Sequence, residues 1–104
     1  MLTAEVFRAL ADPTRRAVFE CLTDREMSVS QLTAGFTVSQ PAISQHLAAL
    51  KRARLVSERR TGRHAYYQAT PDALAPLHKW MQRYGNIWPA RIEKLKGVLK
   101  EMDR

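Results

Sequence analysis

The 104-residue chain has one cysteine, Cys21. That excludes an intrachain disulfide framework and fits a reducing compartment. The longest uninterrupted apolar run is four residues, Leu47 to Leu50, far short of the roughly 20 that a transmembrane helix needs. Glu5 and Arg8 interrupt the first turns, so no apolar signal core forms there, and no lipidation pattern is seen; a cytoplasmic location without membrane association is expected. There are no internal repeats and no low-complexity segment. No Ser/His/Asp, Cys/His or paired-carboxylate set can be placed at one site, and no glycine-rich phosphate loop is present, so an enzyme is not expected. Acids are also scarce. Ten Asp and Glu stand against seventeen Lys and Arg, for a formal charge of +7. This excludes an acidic solvating protein and points to a polyanionic partner, nucleic acid or an anionic membrane.

What is present is enough for one domain: 45% of the residues are hydrophobic, and the length suits a single modest core. The charge is unevenly placed. Between Met27 and Pro71 six bases (Lys51, Arg52, Arg54, Arg59, Arg60 and Arg63) face one acid, Glu58, for a net +5, while the rest of the chain carries +2.

The elements can be placed by periodicity and capping signals. Thr3 to Leu10 is predicted helical, with Val6, Phe7 and Leu10 on one side. Asp12-Pro13 is a strong helix start, and that helix runs to about Thr23, with Thr14, Ala17/Val18 and Cys21/Leu22 at helical spacing. Ser30 is the expected cap of a short helix through Gln31, Leu32 and Thr33, ending near Gly35 in a left-handed position. Phe36 to Val38 is a tight turn. Ser39 caps a better-formed helix from Gln40 to about Ala53, with Pro41 harmless in its first turn. Leu55 to Arg60 and Ala65 to Ala69 are predicted strands around a Thr61-Gly62-Arg63-His64 turn. Asp72 is expected to open a final helix reaching Met102, with Leu77, Trp80/Met81, Tyr84, Trp88, Ile92, Leu95 and Leu99 spaced by three and four. Gly85 and Pro89 imply a kink or a break near Asn86.

The Ser39–Ala53 segment has two unlike faces. Ile43, Leu47 and Leu50 form one, flanked by Ala42, Ala49 and Ala53. Gln40, Ser44, Gln45, Ala48, Lys51 and Arg52 form the other, with no acid and no large apolar group. Glutamine can bond an adenine edge bidentately, serine can reach bases or phosphates, and Lys and Arg suit phosphates or guanine. The hairpin that follows gathers Arg59, Arg60, Arg63 and His64. A basic hairpin placed after a helix-turn-helix is a wing, suited to the phosphate backbone or an adjoining minor groove.

The segments "ALADPTRRAVFECL", "VSQPAISQHLAALKRARLV" and "ERRTGRHAYYQAT" resemble the ArsR-type winged-helix repressors over about residues 3 to 75. The tail "HKWMQRYGNIWPARIEKLKGVL" resembles the subgroup that ends in an aromatic-rich helix and lacks a metal site. The resemblance implies a homodimeric transcriptional repressor. It places the helix matching Gln40–Ala53 in the major groove, makes the hairpin matching Leu55–Ala69 the wing, and puts the first and last helices at the dimer interface. The residues argue for a dimer independently. A helix from Asp72 to Met102 would be ~45 Å long, longer than so small a domain is wide, and its overhang would expose an apolar stripe unless a partner covered it.

Other roles fit these residues less well. A thiolate metal site needs several cysteines, and the ArsR-type cysteine pair would fall near Ser30–Thr33, where there is none. Asp72 and His78, six apart, do not share a face at adjacent turns. No metal and no cofactor is therefore expected, and His46 is expected to pack or to meet phosphate. Cys21, beside Val18 and Leu22, is expected to behave as a small apolar residue, although a redox switch across a dimer is conceivable. Trp80, Tyr84 and Trp88 could line a ligand pocket, but packing is the better expectation. A winged-helix module that binds protein and not DNA should carry apolar or acidic groups on its recognition face.

The expectation is a mainly α fold with a small β-hairpin: one winged helix-turn-helix domain over residues 1–104. The helix-turn-helix spans 30–53 and the wing 55–69, with dimerisation helices over 1–10 and 72–102. The expected partner is double-stranded DNA carrying an inverted-repeat operator, bound by a homodimer; no effector can be named. Base contacts are expected from Gln40, Ser44 and Gln45. Phosphate contacts are expected from Ser39, Lys51, Arg52, Arg59, Arg60, Arg63 and His64. The dimer interface is expected to involve Val6, Leu10, Leu77, Trp80, Tyr84, Trp88, Ile92, Leu95 and Leu99.

Overall fold

Two short helices lead into the fold, and the break between them is chemical. In the computed structural model, which describes residues 2–84 together with 94, 95, 97 and 98, α1 spans Leu2–Ala11 and α2 spans Pro13–Asp24. The Asp12 carboxylate accepts a hydrogen bond from the Arg15 amide at 2.9 Å, which stops α1 and starts α2. That bond holds the Asp12 carboxyl below its ordinary range.

The polar link after α2 leads into β1, Met27–Ser28, a two-residue strand that periodicity does not predict. Next comes α3, Val29–Ala34. Its cap is Ser28 and not Ser30: Gln31 N–H donates to the Ser28 hydroxyl at 3.2 Å, and Ser28 N–H donates to Gln31 Oε1 at 2.8 Å. The Gln at the third helical position makes this a reciprocal capping box, which Ser30 could not form. Gly35 closes α3 with φ −93°, not in the left-handed region. Helix α4 spans Gln40–Arg52, with Ser39 accepting from the Ala42 amide at 3.3 Å.

Helix α4 ends in an unusual way. Arg54 has φ 61°, and its N–H donates to Lys51 O at 3.0 Å while Leu55 N–H donates to Leu50 O at 2.9 Å. This is the Schellman arrangement, in which a left-handed residue is normally glycine. Leu50 and Leu55, the apolar pair that accompanies it, are both fully buried.

Strands β2 (Val56–Thr61) and β3 (His64–Ala69) pair antiparallel from Val56↔Ala69 to Thr61↔His64. The two-residue turn between them has Gly62 at φ 60°, a first turn residue with positive φ, as hairpin turns of type II′ require. β1 joins the far side of β3, Met27 opposite Tyr67, so the sheet order is β1-β3-β2.

Helix α5 spans Ala75–Gln82, not from Asp72 as the sequence suggests. Proline explains the later start. A helix begun at Asp72 would require an N–H from residue 76 to reach Asp72 O, and Pro76 has none. Ala75 N–H donates to Asp72 O instead, within a turn that tucks Ala73 into the core. The expected kink or break near Asn86, and the side chains of Trp88, Ile92 and Leu99, lie outside the described residues.

One core joins all of this. Val6 and Ala9 from α1, Val18, Phe19 and Leu22 from α2, and Leu32 from α3 pack with Ile43, Leu47 and Leu50 of α4 and with Leu55 and Val56. Burial of this cluster fixes α4 with its opposite face outward. Cys21 is half-buried against the same core. Among the described residues no helix is long and apolar enough to cross a membrane.

Candidate nucleic-acid interface

The two faces of α4 separate cleanly. Ile43, Leu47 and Leu50 are 0, 1 and 0% exposed, whereas Gln40, Ser44, Gln45, Ala48, Lys51 and Arg52 are all exposed. Ser39, at the N-cap, is exposed too. The helix therefore presents an acid-free polar strip along its whole outer side. A strip of glutamine, serine and basic groups on a rigidly seated helix can offer paired donors and acceptors to base edges in a major groove.

The hairpin stands beside this strip and is tied to it. Lys51 Nζ lies 2.9 Å from Glu58 Oε1, and Arg60 lies 3.5 Å from the other carboxylate oxygen. Tyr67 Oη donates to that oxygen at 2.9 Å. Glu58 is only 13% exposed. The hydrogen bonds from Lys51 and Tyr67 hold its carboxyl below the ordinary range. Burial and the bond to Glu58 push the Tyr67 phenol up. The one acid of the basic segment is thus the joint between helix and hairpin.

The basic hairpin residues are not equivalent. Arg59 turns back along the sheet: its Nε and one terminal nitrogen donate to the two Glu26 oxygens at 2.9 and 2.7 Å, and its guanidinium lies 5.2 Å over the Tyr66 ring. The pair lowers the Glu26 pKa and raises that of Arg59. Arg63 and His64 sit at the turn, exposed, with no side-chain hydrogen bond or ion pair among the described residues. Of the four hairpin residues expected to meet phosphate, Arg63, His64 and the 76%-exposed Arg60 are presented outward, and Arg59 is already engaged. Nothing in the sequence pairs Glu26 with Arg59, 33 residues away; the β1–β3–β2 order brings them together.

His46 sits between the two faces of α4, half-buried, and Arg15 Nε donates to its Nδ1 at 3.4 Å. Among the described residues no three His, Cys, Asp or Glu side chains come together in a way that could hold a metal ion.

The expected dimer residues divide. Val6 is 2% exposed and belongs to the protomer's own core, so it is unavailable to a partner; Leu10 packs partly against that core. The exposed large apolar residue of α1 is Phe7, at 42%, which helical spacing places on one side with Val6 and Leu10. Its ring meets Trp80 edge-on at 5.5 Å, and Trp80 meets Tyr84 at 5.2 Å. Leu77 is half-buried, and Leu95, in a helical segment, is exposed.

A helix-turn-helix whose second helix is bared on one side, followed by a basic hairpin, defines a winged helix-turn-helix transcriptional regulator. Comparison with known proteins gives the family. The profile described as "Bacterial regulatory protein, arsR family" matches residues 12–58. An HTH-type transcriptional regulator of Mycobacterium tuberculosis is 45% identical over 78 residues, covering 75% of this chain and 73% of the relative. The transcriptional repressor SdpR of Bacillus subtilis is 36% identical over 81 residues, covering 78% and 90%. Among solved structures, an ArsR-like transcriptional regulator from Rhodococcus sp. RHA1 superposes with a TM-score of 0.74 at 33% identity, covering 93% of this chain and 92% of that one. A homodimeric winged helix-turn-helix DNA-binding domain from Mycobacterium bovis superposes with a TM-score of 0.66 at 28% identity, covering 82% and 79%. The chain belongs to the ArsR family of bacterial regulators, a family of transcriptional regulators and not of enzymes.

Proposed function

We propose that this chain is a homodimeric transcriptional repressor of the cytoplasm that binds an inverted-repeat operator in double-stranded DNA. The observation that carries the reading is the acid-free outer strip of α4, seated by a face that is essentially unexposed. Gln40, Ser44 and Gln45 read bases. Ser39, Lys51 and Arg52, with Arg60, Arg63 and His64 of the wing, hold phosphates; Arg59 contributes mainly by fixing the hairpin. Phe7, Leu10, Leu77, Trp80, Tyr84 and Leu95, together with Trp88, Ile92 and Leu99, supply the dimer contact. A two-fold dimer sets its recognition helices about one DNA turn apart, and repression follows from covering promoter DNA.

The test is a gel shift and footprint on the DNA upstream of the protein's own gene, with and without zinc and oxidant. Two protected half-sites about one turn apart are expected. An absence of any protected region would overturn the proposal in favour of a module that binds protein.

A further inference from the structure

We infer that a second basic surface, a cleft between α1, α2 and α4, holds the DNA backbone on the side of α4 that the hairpin does not reach. The inference rests on the DNA-binding function proposed above. The cleft is an open groove of about 330 Å³. Its floor is Ala9, Ala49 and Ala53, and its walls are Arg8, Arg15 and Arg52, with Glu5 the one acid among them.

In the sequence, Arg8 and Arg15 lie outside the basic segment. Packing of α1 and α2 brings them to α4. Arg15 is anchored there by the bond from its Nε to His46 Nδ1 at 3.4 Å, and its two terminal nitrogens bond nothing among the described residues. Arg8 and Arg52 make no side-chain hydrogen bond or ion pair among the described residues and are exposed.

The geometry of α4 places this cleft. At about 100° per residue, Ala49 and Lys51 stand about 160° apart around the helix. Lys51 reaches the hairpin at Glu58; Ala49 lines the cleft. Hairpin and cleft therefore flank α4 on opposite sides, with Gln45 and Arg52 between them. A major groove about 12 Å wide is filled by a helix about 10–12 Å across with its side chains. One phosphodiester strand must then run along each flank. The hairpin meets one strand. On the other flank three guanidinium groups stand around a floor of small side chains, and guanidinium pairs phosphate bidentately. Glu5 opposes this and sets the sign of its own test.

The experiment uses the full chain, a duplex of about 30 base pairs of arbitrary sequence, and a second duplex from upstream of the gene, since phosphate contacts are sequence-independent. Affinity is followed against salt concentration by fluorescence anisotropy. Each of Arg8→Gln and Arg15→Gln is expected to reduce the slope of log affinity against log salt by about 0.9 for every phosphate that is no longer neutralised, hence about 1.8 for a dimer. Glu5→Gln is expected to tighten binding to both duplexes. Arg25→Gln, at the other end of α2, should leave the slope unchanged. Arg8→Gln serves should loss of the Arg15–His46 bond impair folding. Wild-type slopes in both arginine variants, or an equal drop in Arg25→Gln, would overturn the inference. A wild-type protein that binds neither duplex would overturn the proposed function along with it.

Discussion

Lys51 of α4 and Glu58 of the hairpin are joined at 2.9 Å. Tyr67 donates to the same carboxylate from the neighbouring strand. A group whose folded pKa is depressed stabilises the fold above its unfolded pKa and loses that contribution as pH falls through the folded value. Glu58 is such a group, and Asp12 and Glu26 shift in the same direction. The urea midpoint of the wild type should therefore fall as pH drops below the carboxylate range. Glu58→Gln should flatten part of that decline and, by releasing Lys51 and Arg60, strengthen binding to arbitrary duplex. Parallel acid profiles for the two proteins would show that Glu58 contributes nothing to the decline.

The hairpin arginines should separate under mutation. Arg63→Ala should weaken binding to every DNA sequence and reduce the salt slope, because Arg63 has no partner among the described residues and stands at the turn. Arg59→Ala should affect DNA binding less and stability more, since it breaks the two bonds to Glu26. Anisotropy titrations at several salt concentrations, beside denaturation curves, distinguish the two. Equal effects on binding would show that Arg59 leaves Glu26 when DNA arrives.

Base readers should show a different signature. Gln40→Ala and Gln45→Ala should each cost about 1–3 kcal/mol of operator affinity while sparing binding to arbitrary duplex. Equal losses on both DNAs would show that the glutamines touch backbone only.

Trp80→Ala should loosen the dimer. Trp80 and Phe7 meet edge-on at 5.5 Å on an exposed surface, and large aromatic side chains of this kind dominate interface energetics. Sedimentation equilibrium should show dissociation at higher concentration than for the wild type. A monomeric wild type would overturn the dimer outright.

At position 54 the prediction concerns stability alone. A left-handed backbone costs an L-residue about 1–2 kcal/mol, and a β-branched one more. Arg54→Gly should leave stability equal or raised, and Arg54→Val should lower it. Chemical denaturation of both variants checks the ordering.

Much of this was legible in the sequence, and the misses have physical causes. Asp12-Pro13 and Ser39 followed by Pro41 marked two helix starts because their chemistry is local. The two faces of α4 followed from spacing alone. Ser28 was missed in favour of Ser30 because only the partner at the third helical position, Gln31, decides which serine caps. Pro76 was present to be read, and its missing N–H moves the start of α5 past Asp72. β1 could not be read, since two residues carry no period. The engagement of Arg59 was hidden as well: its partner lies 33 residues away, and only the sheet order unites them. Arg15 at His46 is the same kind of case, a contact made by helix packing and invisible to composition.

Ser28 has two duties. It pairs with Tyr66 as the last residue of β1, and its hydroxyl caps α3. The hinge that would let the wing swing independently of the helix-turn-helix is therefore taken up by a single residue bonded both ways, and the Lys51–Glu58 pair pins the opposite edge. These contacts tie the helix-turn-helix and the hairpin of a protomer into one unit. In the proposed dimer, a signal that silenced the protein would then act on the spacing between the two units, and the exposed Phe7–Trp80 pair is the place to look for it.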